Sequence, residues 1–245
     1  MILLRSLLFN LCYVLWAALS SIIFAPLFLI SSNASLLAGP PWAKAVLFLA
    51  RHICRLEYEI RGREYMVEAP HIFASKHQSA WETAFFFSRL KRPNFVLKRE
   101  LLRIPLWGWY LWRMKMIAID RHGGMSGMKD MIRQSRAALA DSRPIVIFPE
   151  GTRTQPGSPP HYHPGIVALY SQLKVPVVPV ALNSGVFWSK NAFMKYPGTV
   201  IVEFFPPIPP GLGKDEFAAR LQNTIETASQ KLLTEANNRN PHAPL

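Results

Sequence analysis

From residue 6 to residue 43, a stretch of 38 positions, the chain contains no Asp, Glu, Lys or Arg. The densest part, residues 7–30, is interrupted only by Asn10, Ser20, Ser21 and Pro26. A helix that crosses a bilayer needs roughly 20 apolar residues, so this stretch is long enough to span one. A signal peptide would have a shorter apolar region and a small-residue cleavage site. Ser32, Ala34 and Ser35 lie nearby, but the length of the stretch speaks against that reading. A simple transmembrane anchor and a bent, partly inserted hairpin both remain, because Pro26 would kink a helix and Gly39-Pro40-Pro41 would end one. In residues 42–56, Lys44, Arg51 and Arg55 fall at helical spacing on one face, and Val46, Leu49, Ala50 and Ile53 on another. This is the pattern of an interfacial helix with Trp42 at the boundary. An amphipathic core helix shows the same pattern, and the preceding apolar run decides for the membrane.

Composition excludes other classes. Half of the 245 residues are apolar and 18% are charged, which rules out a wholly disordered chain. Two cysteines, Cys12 and Cys54, cannot build a disulfide framework or a CxxC zinc site, and a reducing, cytosol-facing setting fits them. The net charge of +13 points to an anionic partner: nucleic acid, acidic lipid or a phosphorylated substrate.

The body reads as α/β. Leu56, Tyr58 and Ile60 alternate with polar residues in the period of a strand. Further strands are predicted at residues 71–75, 95–97, 117–119, 144–148, 177–182 and 199–205. Helices are predicted at 125–140, 165–173 and 215–235. This alternation argues for a mainly parallel sheet flanked by helices. The expected organisation is a membrane-anchoring segment 1–55, an α/β domain 56–237 and a loose polar tail 238–245.

Two motifs carry chemistry. In Lys76-His77-Gln78-Ser79-Ala80-Trp81-Glu82-Thr83, His77 and Glu82 would lie about 140° apart on a continuous helix. They meet only if the helix begins between them, and Ser79 with Glu82 forms a capping box that starts it at Ser79. Glu82 would then accept the Nδ1–H of His77 and leave Nε2 as a general base. A capping role alone also accounts for Glu82. The second motif, Phe148-Pro149-Glu150-Gly151-Thr152-Arg153, follows a strand, where α/β sheets gather ligands. It offers a flexible backbone, a hydroxyl and a guanidinium suited to phosphate. A surface turn closed by a Glu150–Arg153 pair is the simpler alternative.

Together these motifs resemble the glycerophospholipid acyltransferase family, with the nearest likeness to its 1-acyl-sn-glycerol-3-phosphate acyltransferases. Lys98-Arg99-Glu100-Leu101 with Ile117-Ala118-Ile119-Asp120-Arg121, and Val175-Pro176-Val177-Val178-Pro179-Val180, look like two further blocks of that family in the same order. The resemblance implies that His77 deprotonates an acceptor hydroxyl with Glu82 as its acidic partner. It also implies that Arg121, Glu150, Gly151, Thr152 and Arg153 bind the acceptor phosphate or shape its pocket, with Lys98 as a weaker candidate. It implies acyl transfer to a lysophospholipid, foremost lysophosphatidic acid to phosphatidic acid. Acyl-CoA or acyl carrier protein would be the donor substrate, with no metal, no bound cofactor and no acyl-enzyme. The implied location is the cytoplasmic face of a bacterial inner membrane.

Departures bear on the acceptor. Glu82 stands where the family usually has Asp, Lys115 where Gly often precedes the Ile-x-Ile-Asp-Arg strand, and His163-Pro164-Gly165 replaces a frequent Phe-Lys-x-Gly stretch. An acyltransferase of the same fold acting on a lyso-aminolipid, and a non-enzymatic anionic-lipid or nucleic-acid-binding membrane protein, are the alternatives. Trp107, Trp109, Tyr110 and Trp112 stand among Arg103, Arg113 and Lys115, a pattern that suits core packing with a basic rim, a lipid interface or base stacking. The apolar N-terminus favours lipid, so no nucleic-acid partner is expected. His161 and His163 lack a further nearby ligand and read as a loop.

Overall fold

The computed structural model describes residues 1–66 and 71–239. Four helices come first: α1 (Ile2–Ile23), α2 (Ala25–Ile30), α3 (Ser32–Ser35) and α4 (Gly39–Cys54). The body then runs β1 (Leu56–Arg61), β2 (Ile72–Ser75), α5 (Trp81–Arg89), β3 (Asn94–Lys98), α6 (Trp107–Arg113), β4 (Ile117–Ile119), α7 (Gly124–Ala140) and β5 (Ile145–Ile147). It closes with α8 (Gly165–Leu173), β6 (Val177–Leu182), α9 (Ser184–Phe187), β7 (Gly198–Phe204) and α10 (Lys214–Arg239). Of the expected tail, residues 238 and 239 belong to α10, and 240–245 lie outside the described residues.

The seven strands form one sheet in the order β1-β7-β6-β2-β5-β3-β4. Among the described residues, every pairing between these strands is parallel except β6 with β7. Period-2 alternation sends neighbouring side chains to opposite faces. Phe73, Val146, Val178 and Val180 enter a core shared with α1, α4 and α5. Ile72, Ala74, Ile145 and Ile147 pack on the other side with Met131 of α7, Leu169 of α8 and Phe217, Leu221 and Ile225 of α10. Both faces are therefore covered, as a mainly parallel sheet requires.

The N-terminal helices share this core. Phe9 is fully buried and Phe28 nearly so, in the same cluster as Phe73 and Phe85; burying one such ring contributes about 1.5–3 kcal/mol. The chain breaks at Phe24, and Pro26 sits in the first turn of α2. Gly39-Pro40-Pro41 does not end a helix as expected; it opens α4, with proline in the first turn. At that position the missing N–H forfeits no intrahelical bond. Among the described residues α1 is long and apolar enough to cross a membrane, and little of it is buried. Its outer face exposes Leu4, Leu7, Leu11, Val14, Leu15 and Ile22.

Candidate active site

His77 follows β2, and Glu82 lies in the first turn of α5, which begins at Trp81, two residues later than expected. The backbone between them turns sharply enough for His77 Nδ1 to donate to Glu82 Oε1 at 2.8 Å. The same oxygen accepts the backbone N–H groups of Gln78 and Ser79, each at 2.7 Å. Oε2 accepts the Ser184 hydroxyl at 2.8 Å, and Ser79 Oγ accepts the Trp81 N–H at 3.1 Å. The capping and histidine-orienting readings of Glu82 therefore coexist: one fully buried carboxylate performs both. Four donors converge on its two oxygens. The His77 ring stacks on Phe148 with 3.9 Å between centroids and borders a cavity. No protein group among the described residues hydrogen bonds its Nε2.

The backbone of His77 is gripped from the second motif. Its N–H donates to Glu150 Oε2 at 3.0 Å, and its carbonyl accepts the Thr154 N–H at 2.8 Å. Glu150 is buried, and its other oxygen accepts from Lys76 Nζ at 2.7 Å and Thr154 Oγ1 at 2.8 Å. It makes no Glu150–Arg153 surface pair, and it lies beneath the cavity wall rather than on it. Both of its oxygens are engaged by protein donors, one of them the His77 backbone.

The cavity, about 680 Å³, opens beyond the carboxyl ends of β2, β5, β3 and β4, which are adjacent in the sheet. Each contributes a residue expected to matter: His77 after β2, Gly151, Thr152 and Arg153 after β5, Lys98 at the end of β3 and Arg121 after β4, all of them on the wall. Gly151 has φ +65°, and a Cβ there would stand 2.8 Å from the His163 ring and 2.9 Å from the Arg121 guanidinium. Arg121 donates to the Gly151 carbonyl. Partial burial, and then the Arg121 charge, lower the His163 pKa and favour its neutral form. Much of the remaining wall is apolar, with Phe87, Leu97, Ile104, Leu111 and Met128, and the Asp120 carboxylate also borders the cavity. Tyr13 of α1 and Trp42 of α4 complete it, Trp42 meeting Trp107 edge-on at 5.4 Å.

Several residues that build the site were missed from sequence. Ser184 follows the end of β6; a polar Asn-Ser-Gly step directly after a buried strand was the available signal. Lys190 lines the cavity, with Nζ 3.5 Å from Thr152 Oγ1, and no local pattern marks it. Its loop is fixed to α1: Ser6 Oγ accepts the Lys195 N–H at 2.9 Å, and Asn10 Nδ2 donates to the Phe193 carbonyl at 3.0 Å.

The sequence and the fold have known counterparts. A protein-family model described as Acyltransferase matches residues 57–183. The 1-acyl-sn-glycerol-3-phosphate acyltransferase of Pseudomonas aeruginosa is 39% identical over 165 residues, which cover 67% of this chain and 64% of that protein. The alpha form of the same enzyme from Homo sapiens is 27% identical over 199 residues, covering 78% and 70%. In fold, the chain superposes on the crystal structure of the 1-acyl-sn-glycerophosphate acyltransferase PlsC from Thermotoga maritima with a TM-score of 0.75 and 19% identity, covering 95% of this chain and 98% of that one. The matched segment holds His77, Glu82, Lys98, Arg121 and the turn through Arg153, and by it the chain belongs to the acyltransferase family.

Proposed function

We propose that this chain transfers a fatty acyl group from a thioester, acyl-CoA or acyl carrier protein, to the free hydroxyl of lysophosphatidic acid, forming phosphatidic acid. The observation that carries the reading is the His77–Glu82 pair at a cavity that is apolar along one wall and cationic along another. In this mechanism the acceptor hydroxyl approaches His77 Nε2, which takes its proton as oxygen attacks the thioester carbonyl. Glu82 holds the ring in the Nδ1–H tautomer and stabilises the imidazolium. The tetrahedral intermediate collapses with cleavage of the C–S bond, and the imidazolium returns its proton to the departing thiolate. The C–O bond formed and the C–S bond broken balance without metal or acyl-enzyme. Lys98, Arg121, Arg153 and Lys190 engage the phosphate, and the apolar wall takes acyl chain.

Membrane attachment completes the reading. Alpha-helix α1 is held to the body from Ser6 through Asn10 and Trp16 to Ser21, by partners in α4, α6 and the 193–195 loop. A helix fastened along its length would carry those partners with it if it crossed the bilayer. We therefore read it as lying in one leaflet with its leucine face toward acyl chains. The cytoplasmic face of a bacterial inner membrane suits the two free thiols and the bacterial relative.

The test is acyl transfer by the detergent-solubilised chain, with lysophosphatidic acid or a lyso-aminolipid as acceptor and each thioester as donor. Phosphatidic acid is the expected product. Reaction of the lyso-aminolipid alone would keep the mechanism and replace the acceptor. Inactivity with every acceptor would overturn the reading.

A further inference from the structure

Below the cavity lies a buried ion network that the proposed chemistry does not use. Lys76 Nζ sits 2.7 Å from Glu150 Oε1 and 2.9 and 2.8 Å from the two oxygens of Glu226. The Tyr162 hydroxyl donates to Glu226 Oε1 at 2.9 Å. Burial first, and then the Glu226 charge, raise the Tyr162 pKa, so the phenol is a lasting neutral donor. The side chains of Lys76 and Glu150 are 2% and 1% exposed, that of Glu226 21%. Well-packed apolar residues usually stabilise a core as well as buried ions do, so stability alone does not account for the network.

The network reaches His77. Glu150 uses one oxygen for Lys76 and the other for the His77 N–H. Lys76 is the residue before His77, so the ammonium and the backbone of the motif are both tied to the same carboxylate. Glu226, on α10, is the second anchor of that ammonium and lies outside the matched family segment. We propose that Glu226 is a positioning residue, acting through Lys76 and Glu150 to hold the His77 imidazole in line with the acceptor hydroxyl. The C-terminal helix is thus part of the active-site scaffold. The inference rests on the acyl-transfer reading. A misplacement of about 1 Å at a reacting group can cost about a hundredfold in rate, so a remote anchor of this kind acts on kcat and leaves the acceptor KM alone.

Steady-state kinetics of the full chain in detergent test it, with lysophosphatidic acid and whichever thioester the parent uses, each variant assayed below its melting transition. Glu226→Ala is expected to lower kcat about tenfold or more with acceptor KM within about twofold. Glu226→Gln, which keeps an acceptor oxygen for Lys76, recovers most of that loss. In a double-mutant cycle, Lys76→Met with Glu226→Ala loses no more kcat than the worse single variant. If Glu226→Ala does not fold, Tyr162→Phe carries the test, with kcat expected to fall about threefold through one lost hydrogen bond to Glu226. Folded Glu226→Ala with parental kcat, additive losses in the cycle, or parental kcat in Tyr162→Phe where that variant carries the test, overturns the proposal alone. A parent inactive with every lysolipid overturns the acyl-transfer reading beneath it.

Discussion

Beneath the cavity, in what can be called its floor, Lys76, Glu82 and Glu150 are buried, and protein partners meet them at 2.7–3.0 Å. At the rim, Lys98, Arg121, Arg153 and Lys190 border the same cavity, and among the described residues none of them pairs with a carboxylate. The floor is internally paired, and in the proposed mechanism it holds one imidazole still. In the proposed mechanism the acceptor phosphate is the anion that the rim cations meet. The difference predicts that floor variants act on turnover and rim variants on acceptor affinity.

The largest effect is at His77. His77→Ala should lower kcat by about 10²–10⁴-fold, the range of a positioned base, with acceptor KM nearly unchanged in the same assay. Glu82→Gln comes next, at about a hundredfold in kcat. An amide NH₂ would face the donors that Glu82 now accepts, so thermal unfolding should also show a loss of about 1–3 kcal/mol. At the rim, Arg153→Ala should raise acceptor KM about tenfold or more, corresponding to about 1.4 kcal/mol per tenfold, and leave kcat near parental. Lys190→Ala should raise it about threefold, an effect that shrinks with added salt because the group is exposed. A rim variant that lowered kcat alone would break the comparison.

Lys195 sharpens it from a third position. It is 4% exposed, but its ammonium meets the Ala192 and Phe193 carbonyls and the Trp188 and Phe9 rings, and among the described residues no carboxylate. Burial pulls its pKa from the usual 10.5 to about 8, against the opposing pull of Cys54. Between those two values the unfolded chain binds more protons, so the folded state gains stability as pH rises through that window. Melting curves of the parent and Lys195→Met should therefore diverge in the parent's favour from about pH 8 towards 10.5. A constant difference would show that Lys195 does not carry this shift.

The strands were readable because their alternation is local: Leu56, Tyr58 and Ile60 mark β1, and the run at 177–182 is β6. The antiparallel turn of β7 against β6 was not, because a hydrophobic period carries no direction. Gly39-Pro40-Pro41 was misread because proline punctuates a helix at either end, and only the packing of α4 on α1 and α5 shows which. His77 and Glu82 could be paired from spacing and a capping box. Ser184, Lys190 and Glu226 could not, since their roles arise where β6, the 188–195 loop and α10 meet the motif loops, 38 to 150 residues away in sequence. Glu150 shows the reverse case: the motif was legible, but its carboxylate faces Lys76 and the His77 backbone instead of the cavity.

The most direct test is a single set of kinetics on lysophosphatidic acid for the parent, His77→Ala and Arg153→Ala, resolving kcat from acceptor KM. The account predicts a collapse of kcat with little change in KM for His77→Ala, and a raised KM with near-parental kcat for Arg153→Ala. Parental turnover in His77→Ala, or an Arg153→Ala enzyme that loses kcat while keeping its KM, would contradict it.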